Sequence, residues 1–171
     1  MIQVFGYGSL VNRRTQSFGG EKTVLEGWRR VWVATNARPA AFLSVEPAEG
    51  SIEGLSFPVP ADDLPDLDER EAQYDRIAHA NGVVYSVPAR NQASRQCPIL
   101  RSYLDVVLQG YLREFGQPGV ARFMTTTSGW ENGLYDDRAA PIYPRAQEIS
   151  PAETELFDAM LGSVPVVEEL E

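Results

Sequence analysis

At 171 residues the chain is long enough for one well-buried core and short for two. Its 15 basic and 24 acidic residues leave a net charge of −9, which disfavours nucleic acid or an anionic membrane as a partner. No apolar run approaches the roughly 18–20 residues of a membrane span, and the first residues lack the basic start and apolar middle of a secretion signal. A single cysteine, Cys97, excludes an internal disulfide and fits a reducing, cytoplasmic setting.

Ile2 to Phe5 is expected to form a short buried strand, apolar and ended by glycine. The stretch Val4-Phe5-Gly6-Tyr7-Gly8-Ser9-Leu10 then breaks into two glycines around a tyrosine. Gly6 and Gly8 are expected to allow positive φ and to bring the main chain, with no Cβ in the way, close to a ligand. Successive N–H groups in such a turn form an anion-binding nest, although the same letters also spell an ordinary strand-to-loop turn. Asn12 to Glu21 is polar loop. Val24 to Thr35 suggests a strand, with Arg29 and Arg30 between Trp28, Val31 and Val33. Asn36 to Pro39 is a polar connection, in which Arg38 is expected to be a solvated charge. Ala41 to Val45 and Ser51 to Val59 are expected to be two strands, joined by the turn-rich Glu46-Pro47-Ala48-Glu49-Gly50.

A helix is expected over Asp62 to Gln73, capped by Asp62 or Asp63, with Pro65 in its first turn and Asp66 paired to Arg70 on the exposed side. Asn81-Gly82 between the apolar runs Tyr74–Ala80 and Val83–Ala89 predicts a hairpin, with His79 solvated at its end. A long helix is predicted from Ile99 to Phe115, with Pro98 near its start and Gly116 as its stop. Leu100, Tyr103, Leu104, Val107, Leu108, Tyr111, Leu112 and Phe115 form its apolar stripe. Gly110 within it costs about 1 kcal/mol relative to alanine, so something is expected to approach closely there. Gln117 to Gln147 reads as irregular, with Asp136–Arg138 and Tyr143–Arg145 in an extended segment over the body. In the last helix Ser150 is the N-cap, Pro151 the first residue, Glu153 closes a capping box and Gly162 is the stop; the acidic tail to Glu171 is expected to fray. With no linker and no repeat, residues 1–171 read as one α+β domain with a mixed, mostly antiparallel, barrel-like sheet and flanking helices.

Chemistry is sought first at the Asp62 helix. Glu71 lies seven residues after Leu64 on the stripe through Leu67, and so faces the core or a cleft, unless the helix has frayed by then into solvent. Burial would raise its pKa toward neutrality, as a general base and acid near pH 7 requires. Cys97 reads as structural. There is no Cys/His zinc cluster, no Asp-rich calcium loop, no dinucleotide or phosphate-loop fingerprint, and Ser9 lacks a histidine base. Trp130 and Tyr135 are the aromatics placed to line a pocket.

The segment Val4-Phe5-Gly6-Tyr7-Gly8-Ser9-Leu10 resembles the signature turn of the γ-glutamylcyclotransferase-like superfamily, particularly its ChaC-type branch. Leu67-Asp68-Glu69-Arg70-Glu71, with Tyr74 close behind, is similar to that family's second motif, which carries its catalytic glutamate. Trp28-Arg29-Arg30-Val31-Trp32 resembles the segment between the motifs, and Tyr103 with Gly110 is loosely similar to a helix motif of some members; the resemblance covers roughly Ile2 to Gly110. Ala72 stands where a glycine commonly follows the glutamate, and Tyr74 is one residue nearer than in the glutathione-acting branch, departures that bear on the substrate more than on the reaction. The resemblance implies cleavage of a small γ-glutamyl amide (glutathione, a γ-glutamyl amino acid or a γ-glutamyl amine) by its own α-amine, giving 5-oxoproline. Glu71 would carry the proton, the N–H groups of Gly8, Ser9 and Leu10 would bind the glutamyl carboxylate or the developing oxyanion, and Tyr7 and Tyr103 would contact the substrate. No metal or cofactor is implied. A ligand-binding or regulatory module on the same scaffold is the alternative, and a carboxylate-based isomerase or hydrolase a third.

Overall fold

The computed structural model describes residues 1–170. The six-stranded main sheet has the order β4-β5-β1-β3-β2-β7, built from β1 (Ile2–Gly6), β2 (Glu21–Val33), β3 (Phe42–Val59), β4 (Asp75–His79), β5 (Gly82–Ser86) and β7 (Thr127–Ser128). β1/β3, β2/β3 and β4/β5 are antiparallel, while β1/β5 and β2/β7 are parallel. The α+β, mostly antiparallel expectation therefore stands for this sheet, which stays open, with β4 and β7 as its edges. A second, parallel sheet joins β6 (Ile99–Leu100), β8 (Leu134–Tyr135) and β9 (Val166–Val167). Three helices, α1 (Leu64–Arg70), α2 (Arg101–Thr125) and α3 (Pro151–Met160), complete the described chain.

Three expectations are corrected. The turn expected at Glu46–Gly50 does not form, because β3 runs unbroken through it. β2 pairs along both halves of β3, and the extra residues 48–50 are absorbed opposite Gly27, which takes a positive φ of +81° in a bulge. Residues 46–50 lie beyond the ladder with β1, so Pro47 occupies a one-sided position that tolerates proline. The bulge also resets which side chains face inward: Leu25, Arg30 and Trp32 are buried, rather than Trp28. Second, Ile99 and Leu100 are strand, and α2 does not end at Gly116. Gly116 breaks the helix with φ +68°, but Pro118 sits in the first turn of a further arm that buries Val120 and Phe123. Third, Arg70 does not pair with Asp66 but turns inward.

α1 is shorter than the helix expected over Asp62 to Gln73, and Asp63 at its N-cap accepts no capping hydrogen bond; two other readings hold as drawn. The Asn81-Gly82 hairpin is present, and Ser150 and Glu153 form the reciprocal capping box of α3. The tail contributes β9, while Glu171 lies outside the described residues. The extended segment after β8 is pinned to the body: buried Asp137 accepts from the Ser102 N–H at 2.8 Å, the Ser102 hydroxyl at 2.5 Å and the Ile142 N–H at 2.8 Å. Trp130 and Tyr135 line no part of the candidate site described below; the Trp130 indole instead donates to Thr127 O at 2.8 Å and packs edge-on to Trp32.

The core lies between the main sheet and α2, and at Gly110 the helix meets the turn after β1. A Cβ at residue 110 would lie 2.7 Å from Asn12 N, 2.9 Å from Asn12 Cα and 2.9 Å from Val11 C. Asn12 reinforces the contact, its amide donating to Val106 O at 2.9 Å and Gln109 Oε1 at 3.0 Å. Backbone cannot swing aside as a side chain can, so the clash falls near the top of the overpacking range, about 3 kcal/mol, against the ~1 kcal/mol that alanine gains over glycine in a helix. Gly110→Ala is accordingly expected to cost about 2 kcal/mol net, read as a lower urea midpoint at unchanged slope.

Candidate active site

β1 ends at Gly6, and Ser9–Val11 form one 3-10 turn directly behind it. The glycines are required by close approach, not by positive φ as expected: Gly8 has φ −116°, and Gly6 is likewise absent from the left-handed region. A Cβ at Gly6 would lie 2.8 Å from the Leu10 Cβ and 3.0 Å from the Phe57 ring; one at Gly8 would lie 2.8 Å from the Tyr103 hydroxyl. The N–H groups of Ser9 and Leu10, first in their turn, have no carbonyl partner within it. The Tyr103 hydroxyl, reaching over from α2, closes on the turn at Gly8.

The turn is held from behind by a buried cation that the sequence reading left between two apolar positions. Arg30, on β2, is 1% exposed. Its Nε donates to Tyr7 O at 3.3 Å, Nη2 to Glu53 O at 2.6 Å and to the Tyr111 hydroxyl at 2.7 Å, and Nη1 to Thr126 Oγ1 at 2.8 Å. The guanidinium lies 4.9 Å from the Tyr111 ring centre and 4.7 Å from that of Phe123, so aromatic faces take the place of a carboxylate. The Tyr111 hydroxyl, whose pKa burial pushes up to about 12, adds a hydrogen bond to Tyr7 O at 2.8 Å.

Glu71 arrives from the opposite side. Leu64 and Leu67 bury one face of α1, and Glu71 caps its C-terminus, its N–H donating to Leu67 O at 3.0 Å. The end of the helix is not frayed, because the Tyr74 N–H in turn donates to Glu71 O at 2.8 Å. The carboxylate side chain is 14% exposed. Together with Tyr7, Gly8, Ser9, Leu10 and Tyr103 it lines a small hollow closed by Phe5, Leu43, Tyr74 and Tyr85. The residues to which the resemblance pointed, Tyr7, Gly8, Ser9, Leu10, Glu71 and Tyr103, thus line one cavity, whereas Trp130 and Tyr135 do not.

Electrostatics set the character of this hollow. Burial raises the pKa of Glu71 above its ordinary 4.5, while Arg70 and, more remotely, Arg145 oppose the rise. Burial also raises the pKa values of Tyr7, Tyr74 and Tyr103, so all three keep their protons at neutral pH. Two of those protons are committed: Tyr7 donates to Tyr85 O at 2.6 Å, and Tyr74 to Leu43 O at 2.9 Å. The Tyr85 hydroxyl donates to Asp68 Oδ1 at 2.7 Å, tying β5 to α1.

Arg70, read from the sequence as a surface partner, is a brace. It donates to Thr15 O at 2.6 Å and Ser9 Oγ at 3.3 Å, and its Nε lies 3.4 Å from Glu71 Oε1, so one side chain links the glycine turn, the following loop and the acid. Outside Glu71 the hollow adjoins a second cleft of about 660 Å³ including its mouth, walled by Arg38, Phe42, Tyr143, Pro144 and Arg145 and sharing Ser9, Glu71, Tyr74 and Tyr103 with the first. Arg38 was expected in solvent, whereas Tyr143 and Arg145 belong to the segment expected to wrap over the body. Among the described residues no group of three or more His, Cys, Asp and Glu side chains is placed to hold a metal ion, and no helix is long and apolar enough to cross a membrane.

No protein-family model and no curated protein matches the sequence. Solved structures do. YkqA from Bacillus subtilis superposes with a TM-score of 0.57 at 18% identity, covering 75% of this chain and 56% of that one, so the chain spans little more than half of YkqA. The uncharacterized protein loc79017 from Homo sapiens matches with a TM-score of 0.55 at 13% identity, over 93% of this chain and 97% of that one. A gamma-glutamyl cyclotransferase matches with a TM-score of 0.54 at 12% identity, over 95% and 99%. Across nearly its whole length, then, this chain has the γ-glutamylcyclotransferase-like fold.

Proposed function

We propose that the protein is a γ-glutamylcyclotransferase, converting a small γ-glutamyl amide to 5-oxoproline and a free amine without a cofactor. The observation that carries the reading is the position of Glu71: a carboxylate in a semi-dry hollow, across from a main-chain turn with N–H groups to offer. The bound glutamyl group's ammonium cannot attack while protonated. Glu71 takes a proton from it, the freed amine adds to the γ-carbonyl carbon, and a C–N bond forms. The amide C–N bond then breaks as Glu71 returns a proton to the departing nitrogen, and Glu71 carries a second proton the same way from the new ring nitrogen to the released amine. Over the cycle two protons leave the attacking nitrogen and two end on the leaving one, so charge and atoms balance.

The turn supplies the complementary part. The N–H groups of Gly8, Ser9 and Leu10 stabilise the glutamyl carboxylate or the oxyanion of the tetrahedral intermediate, fixed in place by Arg30 and Gly110 before the substrate arrives. Tyr7 and Tyr103 shape the walls against which the flexible glutamyl chain folds into its ring-closing conformation. Incubation with glutathione, γ-glutamyl amino acids and ε-(γ-glutamyl)lysine, followed by mass spectrometry, tests the proposal. Release of 5-oxoproline is expected; free glutamate would indicate a hydrolase, and intact compounds a binding module.

A further inference from the structure

The outer cleft carries a charge pattern at odds with the rest of the molecule. In a chain of net charge −9, three guanidinium groups, Arg38, Arg70 and Arg145, line one opening whose only carboxylate is Glu71. Arg70 is already engaged by Thr15, Ser9 and Glu71. The other two are not so engaged. Among the described residues neither Arg38 nor Arg145 has an acidic side chain within salt-bridge distance. Arg38 Nε is shut off from water with no hydrogen-bond partner, while its guanidinium carbon lies over the Phe42 ring, 4.3 Å from the ring centre. A donor left so is costly unless something completes it, and a planar guanidinium held on an aromatic face is oriented for a planar anion.

The position of these groups says which part of a ligand they meet. Glu71 stands where the two cavities join, so on the cyclotransferase reading a glutamyl half held beside the turn would send whatever departs from the γ-carbonyl past Glu71 into the outer cleft. We infer that Arg38 and Arg145 form a carboxylate subsite for the leaving half, which makes the substrates γ-glutamyl amino acids or peptides with a free carboxylate rather than γ-glutamyl amines. This rests on the cyclotransferase reading above. Tyr143 supports the subsite: its N–H donates to the Ser102 hydroxyl at 3.2 Å and its ring packs edge-on against Tyr103 at 4.9 Å, fixing the backbone two residues before Arg145.

The test compares γ-glutamyl-alanine, γ-glutamyl-alaninamide and γ-glutamyl-ethylamine, which share the glutamyl half and differ in the carboxylate. Formation of 5-oxoproline is followed in the native protein, in Arg145→Ala, which alters only an exposed side chain, and in Arg38→Ala/Arg145→Ala. The expected result is a kcat/KM about 10-fold or more higher for the carboxylate compound, carried mainly in KM, weakening with salt and falling to a ratio near one in the double variant. Turnover of all three compounds at similar rates by the native protein would overturn the subsite and leave the cyclotransferase intact. A preference that survives in the double variant at native strength would overturn the assignment to these arginines. If no compound yields 5-oxoproline, the reaction itself is wrong and the subsite falls with it.

Discussion

Glu71→Gln is expected to lower 5-oxoproline release by roughly 10²–10⁴-fold, the range in which a positioned acid–base group acts. Glutamine keeps the shape of the side chain and its place at the end of α1, so the far-UV spectrum and substrate binding should persist while turnover is lost. The pH behaviour separates this from a damaged fold. Burial raises the folded-state pKa of Glu71 above 4.5, so the native state holds the proton more tightly than the unfolded chain does. That contribution to stability is complete below the unfolded pKa and is lost as pH rises through the folded one, leaving a half-buried charge that only Arg70 and Arg145 offset. At pH 8 the Gln variant should therefore melt higher than the native protein, and the gap should close as pH falls below 4.5. In activity the same shift places the acid limb of kcat/KM above the usual glutamate range. Near-native turnover by the Gln variant would remove Glu71 from the mechanism.

The largest loss of stability is expected from Arg30→Ala. Two effects oppose each other. Deleting a buried cation relieves its desolvation. It also opens a cavity between Tyr111 and Phe123 and takes a donor from Thr126 Oγ1, Glu53 O and Tyr7 O. Since the guanidinium is already compensated by hydrogen bonds and two ring faces, little desolvation cost remains to recover, and the unmet acceptors at ~1–3 kcal/mol each decide the sign. A net cost of about 3 kcal/mol is expected in urea unfolding. Arg30→Met, which refills most of the volume, should fall between, and the difference between the two variants measures the cavity. Both should also lower kcat/KM, because Tyr7 O is the anchor of the turn. An Arg30→Ala protein as stable as the native one would show that the Tyr111 hydroxyl alone holds it.

Local signals made the elements around the site readable. Two glycines ended a buried strand, Leu64 and Leu67 put Glu71 in phase with an apolar face, and the odd glycine at 110 announced a close contact whose partner was Asn12. What could not be read was set by pairing at a distance. Whether Glu46–Gly50 turns or continues depends on β2 lying alongside, and the bulge at Gly27 that turns Arg30 inward is visible only once that register is known. Arg38, Arg70 and Arg145 look alike in sequence, since an arginine's surroundings come from segments far along the chain. Pro118 did carry a legible signal: after the break at Gly116 it marked a second helix start inside a stretch taken as irregular.

The strap from Asp137 to Arg145 divides the labour of the molecule. The turn and helix of the candidate site are locked together by Arg30, Asn12 and Gly110, where almost any exchange disturbs something else. The outer cleft is instead walled in part by a loop fastened at Asp137 and Tyr143, with Pro144 and Arg145 exposed beyond the second fastening. On the proposed reading, changes there are expected to alter which molecules are accepted without touching how they are broken. New substrate preferences are therefore within reach of a few exchanges after Tyr143, and a library confined to that loop is the place to look for them.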